Sequence, residues 1–330
     1  MKRNISGLLL AVMILSSLCG CGRIGGLYFS TSLSDTYIAA GHKANLTTKE
    51  ANLIFMDYQN RYNAYYNQTG MTGFWDSSVE GYTFGEYLRE KRIKEEICLL
   101  LLLNDMAVDE GVELSAEEIA ECENAAAEYY DGLSEIELSY CMANWSDVCS
   151  LYQKYRLAQK TVETIVDGAY LEISDNDKRV IAVQIICMND KAEAEAVREE
   201  TISGADFLQA AKAYSNLAKV EYQVSRGTLN PALEEVAFYL ADDEISEVIE
   251  AEGNFFIIKC INDFDEALSI ANEDRVYRQS LYEYWSPAVE EYARGHEISF
   301  HRRLWTSMKF YQTEAMESVN LYDVYKKYFG

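Results

Sequence analysis

The sequence predicts an α+β protein, with a mainly helical region followed by a smaller region containing a sheet. Three observations carry that prediction. Between Thr47 and Val166 five capping side chains each precede an acid by three residues: Thr47 and Glu50, Thr83 and Glu86, Ser115 and Glu118, Ser134 and Glu137, Asn144 and Asp147. In that pattern cap and carboxylate satisfy each other's orphan backbone amides, which marks helix starts. Further on, Val180 to Met188 and Asn254 to Ile261 are runs of β-branched and apolar residues that read as buried strands, with segments of helical spacing between them. Proline occurs only at positions 231 and 287, which favours long helices over punctuated loops.

In chain order, Met1 to Asn4 is basic, Gly7 to Leu15 is apolar, and Leu18-Cys-Gly-Cys21 ends the run with small residues. This is the form of a secretory signal, too short for a membrane span of ~20 residues. The Leu-Cys-Gly-Cys21 arrangement resembles the bacterial lipobox, which implies a diacylglycerol thioether on Cys21, cleavage before it, and an extracytoplasmic, lipid-anchored protein. An ordinary signal peptide in which Cys21 is incidental is the alternative. Residues 22–45, rich in Gly, Ser and Thr, read as a tether. The capping pairs then predict helices over 47–67, 83–110, 115–130, 134–142 and 145–167. The wholly apolar run Ile97 to Leu103 marks a buried central helix.

Between the two apolar runs, Lys191 to Ile202 and Asp206 to Tyr214 have helical spacing, separated by Gly204. After them, Tyr277, Leu281, Tyr284, Trp285, Ala288 and Tyr292 form one stripe of a further helix over 273–294. Residues 311–330 are an aromatic, charged tail.

The formal charge is −25, and loss of the signal with Lys2 and Arg3 makes it −27. Nucleic acid is therefore not an expected partner, and anionic headgroups would repel the protein body, leaving the lipid to hold it at a membrane. The acidity suits either attraction for basic, unfolded chains or plain solubility. Six cysteines follow Cys21, with no C-x-x-C and no dense spacing; reduced, buried thiols are the default reading, and one bridge between Cys187 and Cys260 is possible. His42, His296 and His301 show no ligand spacing, so no metal and no cofactor is expected. Gly-x-Ser-x-Gly, phosphate-cradling glycine loops and His-Glu-x-x-His are all missing.

From Arg179 to Asn262 the order of motifs is specific. Arg226-Gly227, Phe238-Tyr-Leu240, Glu244-Ile-Ser246 and the final Phe-Phe-Ile-Ile run stand at separations that resemble the parvulin family of peptidyl-prolyl isomerases. The resemblance implies an FKBP-like antiparallel sheet with helices. The stretch from Leu99 to Glu118 is similar to the helical module of SurA-like and PrsA-like foldases, in which a segment after the isomerase domain completes the module. The helix over 273–294 fits that part, and His296 to Trp305 resembles the short strand and helix that follow. The expected organisation is a signal at 1–21, a tether at 22–45, a helical chaperone module at 46–178, a parvulin-like domain at 179–264, and a return to the module over 265–330.

A parvulin lowers the ~20 kcal/mol barrier to X-Pro rotation with an apolar pocket and a polar cluster beneath the twisting amide. By the resemblance Leu229 and Leu233 wall the pocket, with Phe238 beside them. The usual histidines are replaced by Gln184 and Phe256, and Ser215 to Val224 lacks the Gly-Gly-Asp-Leu-Gly loop. The sequence thus points to a membrane-anchored foldase that holds unfolded exported proteins, its parvulin domain weakly active or inactive. Two alternatives stand beside it: an active peptidyl-prolyl isomerase, and a structural lipoprotein that docks one folded partner.

Overall fold

The computed structural model describes residues 27–30, 33–169, 171–310, 316 and 320–330; the signal and Cys21 lie outside the described residues. The described residues fall into two compact units, one from residues up to 169 together with those from 281 to 330, the other within residues 170–280.

The first unit opens with strands β1 (Leu27–Ser30), β2 (Tyr37–Ala40) and β3 (Asn45–Thr47). The reading of 22–45 as a tether is corrected here for the described residues. These strands were illegible because they are three or four residues long and their stabilising partners are remote. The Asp105 carboxylate, fully buried, accepts the backbone N–H groups of His42, Lys43 and Ala44 and so clamps the turn between β2 and β3. Gly41 is required at that clamp, since a Cβ there would lie 2.2 Å from an Asp105 oxygen.

All five capping boxes form. They start α1 (Thr48–Thr69), α2 (Phe84–Tyr87), α4 (Ala116–Asp131), α5 (Glu135–Cys141) and α6 (Trp145–Ile165). A two-residue turn joins β4 (Ser78–Val79) to β5 (Tyr82–Thr83) just before α2. The helix expected over 83–110 runs from α2 through a π-helical turn at Leu88–Ile93 into α3 (Lys94–Glu110). The apolar run Ile97–Leu103 is buried on every side, as the absence of a polar stripe predicted. Among the described residues no helix is long and apolar enough to cross a membrane.

The second unit contains α7 (Asp175–Lys178), β6 (Val180–Met188), α8 (Lys191–Ile202), α9 (Phe207–Tyr214), β7 (Glu221–Ser225), α10 (Pro231–Ala237), β8 (Ile249–Ala251) and β9 (Asn254–Asn262). Its sheet has the order β7-β6-β9-β8, with every pair antiparallel. Alternation along β6 splits the core in two. Ile181, Val183 and Ile185 face α10 together with Val224, Ile258 and Cys260. Ile186, Met188 and Ile257 face α8 and α9 through Ala194, Val197, Phe207 and Ala211. A strand covered on both faces reads as one continuous apolar run, which is why β6 was legible as a strand and its faces were not.

The bridge considered between Cys187 and Cys260 does not form. Cys187 stands opposite Phe256 and Cys260 opposite Val183, so the two are offset by four positions of β6, roughly 13 Å at a strand's rise and beyond disulfide reach. The six described cysteines are free and buried.

The division between units falls inside α11 (Glu266–Ala293). Leu281, Trp285, Val289 and Ala293 are buried. The chain then forms β10 (Ile298–His301), α12 (Arg302–Ser307) and α13 (Leu321–Phe329). In the first unit's sheet β10 lies between β1, to which it is parallel, and β2, to which it is antiparallel. The stretch read as an unmatched tail thus contains a packed helix, with Leu321, Tyr322, Val324, Tyr325 and Phe329 buried.

Candidate functional site

The motifs that singled out the second unit each have a structural task around β9. Glu244 caps the preceding turn by accepting the Ala241 N–H at 2.9 Å, and its own carbonyl accepts from Cys260 N–H. Ser246 is buried, donates its backbone N–H to the Ile258 carbonyl at 2.8 Å, and accepts the Ile258 N–H on its hydroxyl at 2.9 Å. Glu-Ile-Ser therefore stitches the loop before β8 onto β9. Gly227 holds a left-handed φ of +79°, and its N–H donates to Glu234 of α10 at 2.7 Å. That closes the turn between β7 and α10, and it is where a side-chain residue would be strained.

On the α10 face of the sheet, Leu233 is buried against β6 and β9, and half-buried Leu229 packs at the edge of the same cluster. Half-buried Leu217, Tyr222, Ile249 and Phe256 pack there too. Sequence reasoning missed Leu217, Tyr222 and Ile249. Tyr222 could have been placed by pairing β7 with β6, since it stands opposite Val183. Together these residues make a partly open apolar surface over a closed core.

Phe238 belongs to the same buried cluster as Leu233, against which Leu229 packs. Its ring is 4% exposed and lies against two guanidinium groups, Arg226 at 4.2 Å and Arg179 at 5.7 Å from the ring centre. It seals one end of the core.

Gln184 and Phe256 are not brought together. Phe256 belongs to the α10 face, and its partner across β6 is Cys187. Gln184 alternates with Val183 and Ile185, so it points to the α8 and α9 side, where its amide donates to Glu221 at 3.4 Å. The β6 residues that share the face of Phe256 are Ile185 and Cys187. The expectation failed because a lone glutamine in a run apolar on both faces gives no parity signal.

The chemistry available on this surface is narrow. Burial pushes the Cys187 thiol pKa up, which keeps it protonated and a weak donor at neutral pH. The Tyr222 hydroxyl donates to the Lys219 carbonyl, whose ammonium lies 5.2 Å from the ring centre. The surface can take up an apolar ring by non-directional contact. Ile185 and Phe256 offer no hydrogen bond to an amide that has lost its resonance.

Residues 187–262 match the family described as "Rotamase: PPIC-type PPIASE domain". The foldase protein PrsA 1 of Bacillus cereus is 30% identical over 138 residues, covering 38% of this chain and 47% of the relative, so the match spans about half of that protein's length. Among solved structures, the peptidylprolyl isomerase PrsA of Bacillus cereus aligns over 89% of this chain and 99% of its own at 16% identity and a TM-score of 0.40. That of Bacillus anthracis aligns over 65% and 94% at 18% identity and a TM-score of 0.36. Residues 187–262 are thus a PPIC-type rotamase domain of the parvulin kind, carried by a PrsA-like chain.

Proposed function

We propose that this protein is an extracytoplasmic foldase that holds unfolded exported chains, and that its parvulin domain binds proline-containing segments while accelerating their isomerisation little or not at all. The observation that carries the reading is the apolar surface around Leu229 and Phe256. It would offer a wall for a proline ring, and Phe256, half-buried on that surface, carries no group that could support a twisted amide by hydrogen bonding. A site that grips planar and twisted forms equally lowers no barrier. Isomerisation needs no proton transfer, so the argument rests on missing dipoles rather than on missing acid or base.

A protease-coupled proline-isomerisation assay beside an aggregation-suppression assay tests the proposal. Turnover near background is expected, with aggregation of an unfolded client still suppressed, and Leu233→Ala should change suppression little. Robust isomerase turnover abolished by Leu233→Ala would instead establish an active isomerase. Anchoring is proposed to run through Cys21, on the strength of the Leu-Cys-Gly-Cys21 pattern. Labelled palmitate should enter the natural chain and not Cys21→Ala; equal labelling of both would refute the anchor.

A further inference from the structure

Within residues 170–280 a separate cleft of about 390 Å³ opens beside Phe238, lined by Asn176, Arg179, Arg226, Tyr239 and Asp263 among others. That volume is at the small end of ligand pockets, suited to a side chain or a chain end. Both guanidinium groups rest on the Phe238 ring and are held by neutral acceptors. Arg179 donates through Nε to the Asp263 carbonyl at 2.5 Å and through Nη1 to the Phe238 carbonyl at 3.1 Å. Arg226 donates through Nε to the Asn176 carbonyl at 3.3 Å and through Nη2 to the Asn176 side chain at 2.8 Å. Carbonyl and amide acceptors orient a guanidinium without neutralising it.

The nearby carboxylates are poorly placed to do so. Asp263 lies 3.8 Å from Arg179 Nη2, a loose ion pair whose acid side chain is 44% exposed. Asp177 spends an oxygen on the Ser174 N–H at 3.0 Å and the Ser174 hydroxyl at 2.6 Å. Arg226 makes no ion pair among the described residues, and its Nη1 makes no hydrogen bond there. The cleft lining therefore holds two guanidiniums and one loosely held carboxylate, with Asp177 outside the lining but close enough to feel the charge of Arg226. Beside them Tyr239 stands 85% exposed, the most exposed of the large hydrophobic side chains among the described residues, between buried Phe238 and Leu240.

We propose that this cleft binds a carboxylate of an extended peptide, seated on the open edges of Arg226 and Arg179, with the adjoining apolar side chain packed on Tyr239. A planar guanidinium fork matches a carboxylate's two oxygens, and stacking on Phe238 fixes its plane in advance. The chain's overall negative charge does not forbid this. Beyond a screening length of about 8 Å at physiological ionic strength the distant acids are largely masked, and the local pair decides.

The test is calorimetric titration of the full chain with three peptides. They are acetyl-Ala-Ala-Phe as the free acid, the same peptide as its amide, and acetyl-Ala-Glu-Phe amide. The first and third separate a chain-end carboxylate from a side-chain carboxylate. At least one should bind roughly tenfold or more tightly than the neutral amide, as charge-assisted hydrogen bonds require. The preference should shrink with added salt, vanish in Arg226→Gln, and weaken in Tyr239→Ala. It should persist in Leu229→Ala, which alters the apolar surface only, so this proposal and the foldase reading fail separately. Equal binding of all three peptides, no binding of any, or a preference that survives Arg226→Gln overturns the proposal. Should Arg226→Gln lose its fold by circular dichroism, Arg226→Lys keeps the charge and loses the fork. A preference undiminished in that variant overturns it equally.

Discussion

At the scale of single residues, the parity of β6 decides which substitution can rebuild a polar site. Ile185 and Phe256 share a face, with Cys187 directly opposite Phe256, whereas Gln184 points away. The double variant Ile185→His with Phe256→His is expected to raise isomerase turnover above the parent. Gln184→His with Phe256→His should do no better than Phe256→His alone, and the protease-coupled assay reads the difference. The first pair will also cost stability, on the order of 2–4 kcal/mol, because Ile185 is 3% exposed and an imidazole there replaces buried hydrocarbon. The clustering of Leu229 and Leu233 was legible because they belong to an ordered set of motifs, each bound to its place by a turn or a cap. The face of Gln184 was not, since parity needs a polar-apolar alternation that a doubly covered strand lacks.

Among the elements, α13 is the one whose role the sequence concealed. Leu321, Val324, Tyr325 and Phe329 follow a helical spacing, yet the helix has nine residues and follows a polar, aromatic stretch that dilutes the pattern. The structure buries it through polar anchors as well as apolar ones. The Tyr152 hydroxyl donates to the Leu321 carbonyl at 2.9 Å, and Tyr325 donates to Gln159 at 2.6 Å. The buried Glu96 carboxylate gathers the hydroxyls of Tyr58, Tyr155 and Tyr322. Tyr322→Phe removes one of those donors and is expected to lower stability by about 1–3 kcal/mol in urea denaturation. Asp57 accepts the Leu321 N–H at 2.8 Å at the start of the same helix. Burial pushes its pKa up to about 6, against opposing pulls from Arg61 and that N–H, with Glu96 and Asp323 adding to the rise. A folded pKa above the ordinary carboxylate value means the neutral acid is favoured by folding. The stabilisation is full below about pH 4 and is lost as pH rises through about 6. Asp57→Asn should flatten this slope, on the order of 1–3 kcal/mol between those limits. Denaturation curves at pH 4, 5, 6 and 7 check it, and an unchanged slope in the variant would remove Asp57 as its source.

For the whole molecule, the division at 169/170 and 280/281 gives a direct test of independence. Deleting residues 170–280 and closing the gap with a Gly/Ser linker is expected to leave a helical protein that unfolds cooperatively, read by circular dichroism on heating. A product without a cooperative transition would show that the first unit depends on the second. The helical composition of that unit was legible because each capping box is a local agreement between residues three apart. Of its sheet only the strand within His296 to Trp305 was anticipated, because β1 and β10 recognise each other across about 270 residues and their pairing leaves no local trace. That pairing also orders events during synthesis. Helices α1, α2, α4, α5 and α6 have their capping boxes in hand as soon as they are made, and the β6 to β9 sheet is complete by Asn262. The strand at Leu27–Ser30, however, has no neighbour until Ile298–His301 has been polymerised. At a ribosomal pace of about 5–20 residues per second that wait is on the order of 15–50 s. The chain therefore passes through an interval in which the Leu27–Ser30 strand stays unpaired almost until the helix at Leu321–Phe329 is made.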